Sequence, residues 1–328
     1  GNSAVNETSG MRIDWRWGWL AAWAIFIVWL IAWKWNAIHW LALGDTDDNM
    51  RLMQVRALLD GQGWYDLRQY RLNPPDGFNI HWSRLVDLPI AGMILLGRPF
   101  FGPEIAEKIA VAGAPLLALG VALYGMMLTA RRLIDEAAWP VAAAILACAQ
   151  VTLVMFAPLR IDHHGWQLAF LTLMIAGSAD RDRFRGGITT GLATAFSLVI
   201  GLEMIPYLAL AGIMTTLAWV RDPLAAMRLR GYGIALAGGC ALGYAAFTSY
   251  DNRALVCDVL SPVYLSTMLG AGAAAVVLSM LPVQHRWRRF ALAAVAGGVI
   301  VVAFVLLWPQ CLGRPERISP ELDRLWFQ

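Results

Sequence analysis

The feature that most constrains this chain is the recurrence of long apolar stretches near 17–36, 108–130, 137–157, 166–179, 187–202, 204–220, 232–249, 260–282 and 290–308. A helix needs about 20 predominantly apolar residues to cross the hydrocarbon core. Nine such stretches in 328 residues predict an all-α, polytopic membrane bundle of about nine transmembrane helices. Only 15% of residues are charged, against about 25% in an ordinary soluble domain. Secreted, disordered and collagen-like readings fall away on that ground. The net charge of +3 gives no sign of a nucleic-acid partner. Sixteen tryptophans fit a chain with many residues at the membrane–water interface.

A tenth apolar stretch, 85–101, is interrupted by Pro89, Arg98 and Pro99, and its clean part is too short to cross. Loop charge agrees. Arg131, Arg132, Arg181, Arg183, Arg185, Arg221, Arg228, Arg230, Arg286, Arg288 and Arg289 fall in loops of one parity, and only Arg160 and Arg253 in those of the other. Arginine-rich short loops stay cytoplasmic. The N-terminus is therefore placed inside, and 85–101 is read as an interfacial or re-entrant helix. Residues 1–16 read as a cytoplasmic tail or a leftover of cloning, with Met11 the natural start. Residues 17–308 read as the membrane module, with a long external loop at 37–107 that holds interfacial helices. Residues 309–328 read as an external segment that opens a longer loop. The setting this suggests is a bacterial inner membrane. Gly239, Gly243, Gly270, Gly272, Gly297 and Gly298 read as helix-packing positions. Cys257 and Cys311 both fall outside and are placed to pair; Cys148 and Cys240 lie within spans.

Two polar clusters stand at span ends on the external face. Asp45, Asp47 and Asp48 put three carboxylates into four residues, which repel unless a cation or an Arg is present. Oxygen-rich groups of this kind suit Mg²⁺ or Mn²⁺. They suit the N-cap of an amphipathic helix over 51–59 equally well. The second cluster is Arg160-Ile161-Asp162-His163-His164, where Asp162 and His164 are spaced to face one ion in a turn; a plain polar turn fits too. Glu203, between the fifth and sixth spans, is a further candidate, with a tight hairpin turn as the bland reading. The long loop is rich in basic and aromatic residues, among them Arg56, Trp64, Tyr70, His81, Trp82 and Arg84. These suit phosphate and sugar binding, or simple anchoring at lipid headgroups.

The spacing from Asp45 to Arg51, the stretch Leu72-Asn73-Pro74-Pro75-Asp76-Gly77, the stretch from His81 to Asp87, and Asp162-His163-His164-Gly165 resemble the external motifs of the oligosaccharyltransferase catalytic subunit, archaeal or bacterial type. That family belongs to the GT-C glycosyltransferases, which take sugars from polyprenyl-phosphate-linked donors outside the membrane. The resemblance implies catalytic roles for Asp45 and Asp47, and a Mg²⁺ or Mn²⁺ ion on Asp45, Asp162 and His164. It implies donor-phosphate contacts from Arg51, His81, Arg84 and Arg160, with Asp48, His163 and Glu203 as further candidates. The partners implied are the lipid-linked donor and membrane lipid. No Trp-Trp-Asp motif for reading an acceptor sequon is present, so the acceptor is left open among glycan, lipid and protein. The rival readings are a non-catalytic GT-C-like scaffold or partial module completed by another chain, and a flippase. Mid-span charges, which a flippase would require, are nearly absent.

Overall fold

The computed structural model describes residues 14–313, together with 321, 324 and 325. The described chain is helical apart from one short β-ribbon. The first helix, α1 (Trp15–His39), starts where Asp14 accepts from the Arg16 N–H at 3.0 Å. It is followed by α2 (Thr46–Leu59), and by strands β1 (Arg68–Gln69) and β2 (Phe78–Asn79), which pair antiparallel with Arg68 opposite Asn79. The long run α3 (Arg84–Leu133) comes next. The rest are α4 (Trp139–Cys148), α5 (Gln150–Val154), α6 (His164–Ser178), α7 (Arg183–Ile200), α8 (Ile205–Arg221), α9 (Ala226–Phe247), α10 (Pro262–Met280) and α11 (Arg286–Leu307).

Four of these helices, α1, α3, α10 and α11, are long and apolar enough to cross a membrane; α4 and α8 are shorter and apolar. The chain has the make-up of an integral membrane protein. Two expected boundaries move. The apolar stretch at 137–157 is broken at Ala149 (φ −85°, ψ 69°) into α4 and α5. The break expected around Pro89 and Pro99 falls instead at Gly102, whose φ of 77° only glycine adopts readily. Pro103 then opens the second segment, where its missing N–H is no loss. The two segments of α3 fold back on each other. A Cβ on Gly97 would lie 3.1 Å from Ala106 Cβ, and one on Gly113 2.8 Å from Met93 Sδ.

Small residues set the packing of α7, α9 and α10. A Cβ on Gly191 would stand 2.6 Å from the Tyr232 carbonyl, and one on Gly233 2.5 Å from the Gly272 carbonyl, so these backbones touch directly. Gly239 and Gly243 likewise face Ala195 and Val199, whereas Gly270, Gly297 and Gly298 have open space around them. Core residues of α6 to α11 form one apolar cluster and those of α1, α3, α4 and α6 a second. A third joins α2 (Leu52, Val55) to both segments of α3 (Ile90, Ile94, Val111, Ala114), with Leu159 and Ile161. The candidate site lies on this third cluster.

The loops gather at two ends of the bundle. At one, Asp180 binds Arg185 at 2.7 and 2.8 Å and Arg132 at 3.1 Å, and Arg183 binds Asp222 at 2.9 Å. At the other, the loops after α1, α5 and α7 meet. The loop before α10 is tied to the end of α11 by a Cys257–Cys311 disulfide with Cα atoms 5.3 Å apart.

Candidate functional site

Helix α2 begins at Asp45, whose Oδ1 accepts the Asp47 N–H at 3.0 Å, an ordinary N-cap. From that start the helical period turns Asp48, Arg51, Leu52 and Val55 to one buried face. Asp48 is carried inward, and its neighbour Asp47 makes only a backbone contact with the site. Asp162, one residue ahead of the α6 N-cap His163, turns its carboxylate onto the first N–H of that helix, Oδ1 accepting from His164 at 3.1 Å. Between the two helix starts stands Arg160. Its Nη1 donates to Asp45 Oδ2 at 2.8 Å and to Asp48 Oδ2 at 3.1 Å, and its Nη2 to Asp162 Oδ2 at 2.8 Å. The Asp162 N–H donates to Asp48 Oδ1 at 3.0 Å.

Three carboxylates thus converge on one guanidinium, and their environments differ. Asp45 is partly exposed, and the Asp47 N–H and Arg160 hold its carboxyl below the usual range. Asp48 has no exposed surface. Burial, with the nearby charge of Asp162, pushes it up to about 6 despite Arg160. Like charges that share a buried site push one another's protons on in this way.

A second group adjoins the first. His163 Nε2 donates to Glu203 Oε1 at 2.9 Å, and Gln167 Nε2 to Glu203 Oε2 at 2.5 Å. Glu203 is ionised and accepts only, so the His163 proton sits on Nε2. Nδ1 is left buried without a partner. Burial pushes the His163 pKa down. Glu203 is held below the usual carboxylate range by the His163 and Gln167 hydrogen bonds, against the upward push of its own burial. Gly201 leaves room for this contact, since a Cβ there would lie 2.3 Å from Glu203 Oε2. His164, expected beside Asp162 on an ion, turns its Nδ1 to Gln167 Oε1 at 3.2 Å.

Beneath lies a fully buried network. Arg51 donates to Asp87 Oδ1 at 3.0 Å and to the Ser83 carbonyl at 3.1 Å. Its guanidinium stacks 4.7 Å from the Trp82 ring, which in turn lies 6.0 Å from that of His163. Arg84 donates to Asp87 Oδ2 at 3.1 Å and to the Asp66 carbonyl at 2.7 Å. Gln54 Nε2 donates to Asp87 Oδ2 at 2.8 Å. The expectation that Arg51 and Arg84 bind donor phosphate is corrected here: neither guanidinium has any exposed surface, and both serve Asp87 and backbone carbonyls. They position α2 against α3. His81 is exposed beside Trp82, with ring centroids 6.2 Å apart.

The structure therefore brings together Asp45, Asp48, Arg160 and Asp162, and beside them His163, Gln167 and Glu203. Gln54, Asp87 and Gln167 were not singled out in the sequence. Asp87 was findable: Arg84, Asp87, Ala91 and Ile94 repeat at helical spacing, which puts the carboxylate on the same buried face as the apolar residues. No family model, no curated protein and no solved structure matches the chain.

In kind, Asp45, Asp48 and Asp162 are the hard oxygen donors that a Mg²⁺ or Mn²⁺ ion takes. The point on which their Oδ2 atoms converge is held by Arg160. Among the described residues no three His, Cys, Asp or Glu side chains form a ligand set as they stand.

Proposed function

We propose that the chain is a GT-C-like membrane glycosyltransferase that moves a sugar or oligosaccharide from a polyprenyl-phosphate-linked donor to a glycan, lipid or protein acceptor. The observation that carries this reading is the convergence of Asp45, Asp48 and Asp162 on Arg160 at one end of an apolar helical bundle. The motifs that resemble the oligosaccharyltransferase subunit supply these same residues. In this reading the chain crosses a bacterial inner membrane nine times, with the site outside. The Cys257–Cys311 disulfide, at the same end as the site, supports that orientation, because such bonds persist in oxidising compartments.

In the reaction the acceptor hydroxyl attacks the anomeric carbon, the bond from that carbon to the phosphate oxygen breaks, and polyprenyl phosphate leaves. Asp45, partly exposed and ionised, orients the hydroxyl and takes its proton. Asp47, the other residue the motif implies, stands beside it on the first turn of α2. Asp48, pushed up to about 6 by burial, exchanges a proton closer to neutral pH than an ordinary carboxyl does. Arg160 and His81 are the cationic or exposed groups placed to meet phosphate. A divalent ion, if held by Asp45, Asp48 and Asp162, would add positive charge where the phosphate leaves.

The test is transfer from a purified polyprenyl-phosphate sugar by the protein in lipid nanodiscs, with lipid extracts of cells with and without the gene compared alongside. Asp45→Asn should abolish transfer while the protein stays folded and inserted. Undiminished transfer in Asp45→Asn would overturn the catalytic assignment. The absence of any changed glycan or glycolipid would favour the scaffold reading instead.

A further inference from the structure

Asp45, Asp48 and Asp162 carry six carboxylate oxygens, and the chain's own N–H groups reach all six. The Oδ2 atoms accept from Arg160, at 2.8, 3.1 and 2.8 Å. The Oδ1 atoms accept from the backbone N–H groups of Asp47, Asp162 and His164, at 3.0, 3.0 and 3.1 Å. A divalent ion takes oxygen ligands at about 2.0–2.6 Å, so carboxylates that hold one aim lone pairs at a shared point. Here the shared point is filled by a guanidinium, whose charge is permanent and whose planar fork matches carboxylates.

The turn that carries Arg160 is made for this placement. Leu159, immediately before it, has a φ of 78°, which a bulky side chain adopts only under constraint. Its N–H donates to the Val111 carbonyl of α3 at 2.9 Å, and its side chain is buried in the third apolar cluster. The Arg160 N–H then donates to the Ala157 carbonyl at 3.0 Å. Backbone strain of this kind persists only where the surroundings over-determine it, and it gathers at functional positions. What this strained turn delivers is one guanidinium between two helix starts.

We infer that Arg160 is the resident cation of this site, standing where the resemblance puts Mg²⁺ or Mn²⁺, and that the site works without a divalent ion. The ligand set first expected, Asp45, Asp162 and His164, does not form while Arg160 is in place. Arg160 keeps something to offer a phosphate oxygen. Its side chain is partly exposed, and beyond Asp162 its Nη2 faces only the weak acceptor Met155 Sδ, at 4.0 Å. The inference rests on the functional reading above for that phosphate, and on the geometry alone for the identity of the cation.

The experiment titrates the full chain, in nanodiscs of neutral lipid, with Mn²⁺, read by the electron paramagnetic resonance of the free ion. Wild type and Asp45→Asn should take up the same background amount, with no saturable site. Arg160→Met removes the charge and keeps the apolar stem. It should gain about one Mn²⁺ per chain on the oxygens it frees, and Arg160→Met combined with Asp162→Asn should lose that ion again. Mg²⁺ should raise the melting temperature of Arg160→Met, because an ion that binds only the folded state stabilises it, and should leave that of wild type unchanged. Saturable uptake by wild type that Asp45→Asn removes would overturn the inference, as would a folded Arg160→Met that takes up no ion. These measurements need no transfer, so they stand if the transferase reading fails. Transfer, where it is seen, should run undiminished in EDTA. Transfer that EDTA abolishes and Mg²⁺ restores would uphold the transferase reading and overturn the resident cation.

Discussion

The backbone N–H of Asp162 donates to Asp48 Oδ1 at 3.0 Å across 114 residues of sequence, and it welds the first turn of α2 to the turn that opens α6. Both helix starts present an aspartate to the same guanidinium, Asp45 at the N-cap of α2 and Asp162 just ahead of the N-cap of α6. Opening the helices and building the site are one arrangement here, because each aspartate uses Oδ1 on the N–H two residues ahead and leaves Oδ2 free to reach Arg160.

Arg160 is the only cation in contact with these three carboxylates among the described residues, so its removal leaves like charges in mutual contact. Removing one partner of a buried pair costs about 3–5 kcal/mol. Arg160 is partly exposed, and an effect at or below the lower end of that range is expected for Arg160→Met. Arg160→Lys keeps the charge but loses the fork that reaches both helix starts, and should lie between. Thermal unfolding in detergent, followed by tryptophan fluorescence, should rank wild type above Arg160→Lys above Arg160→Met.

Asp48 predicts a pH dependence. Its folded-state pKa, about 6, lies above its ordinary value of 3.8, so the fold favours the protonated form. The stability this contributes is complete below about 4 and is lost as pH rises through 6. By linkage the change is on the order of 3 kcal/mol. Relative to Asp48→Asn, which does not titrate there, the wild type should lose stability as pH rises from 4 to 6.5. A constant offset between the two across that interval would show that Asp48 titrates normally.

Much of this was legible in the sequence, and the limits have physical reasons. The apolar stretches announce helices because they are long and nearly free of charge. The clusters at Asp45 and Asp162 announce a shared site because loop parity puts them on one face. Asp48 carries a signal of its own, since it repeats with Arg51, Leu52 and Val55 at helical spacing and so must turn inward. Arg51 and Arg84 mislead because a loop arginine looks the same whether it meets a ligand or a buried aspartate; Arg84 and Asp87 lie one helical turn apart, and only the packing of α2 on the first segment of α3 brings Asp87 to Arg51 as well. The pairing of Glu203 with His163 and Gln167 depends on how α6, α7 and α8 pack, and no local pattern encodes it.

Asp87 should be the least replaceable carboxylate among the described residues. It is fully buried and is the counter-charge of two fully buried arginines, Arg51 and Arg84. Asp87→Asn keeps the shape and removes the charge, which strands both guanidiniums. A loss of about 3–5 kcal/mol is expected, seen as a fall in folded yield and melting temperature whether or not any substrate is present.

Gly201 offers a test of the Glu203 contact that leaves the charged residues in place. Its backbone is extended, so alanine brings no backbone strain, yet the new Cβ would lie 2.3 Å from Glu203 Oε2 and 2.8 Å from Gln167 Nε2. Gly201→Ala should push the Glu203 carboxylate off His163 with little global destabilisation. Transfer activity should fall in Gly201→Ala to the level of Glu203→Gln. If activity is intact in Gly201→Ala but lost in Glu203→Gln, Glu203 acts without its His163 contact.

The Cys257–Cys311 bridge tests orientation and fold together. It ties the loop between α9 and α10 to the end of α11, closing a separation of 54 residues. Loop-closure entropy over that length corresponds to about 4 kcal/mol as an upper figure, so Cys257→Ser should lower the melting temperature under non-reducing conditions and make reductant harmless. Of the two free thiols, Cys240 is buried in the bundle and Cys148 lies on an exposed apolar face. Denatured, unreduced protein should therefore show two reactive thiols and reduced protein four. In intact cells, a membrane-impermeant reagent applied from outside should label Cys311 in Cys257→Ser and should not label a cysteine put at Arg183, at the opposite end of the bundle. The reverse labelling would place the Asp45, Asp48 and Asp162 cluster on the cytoplasmic side and remove any reaction at the external face.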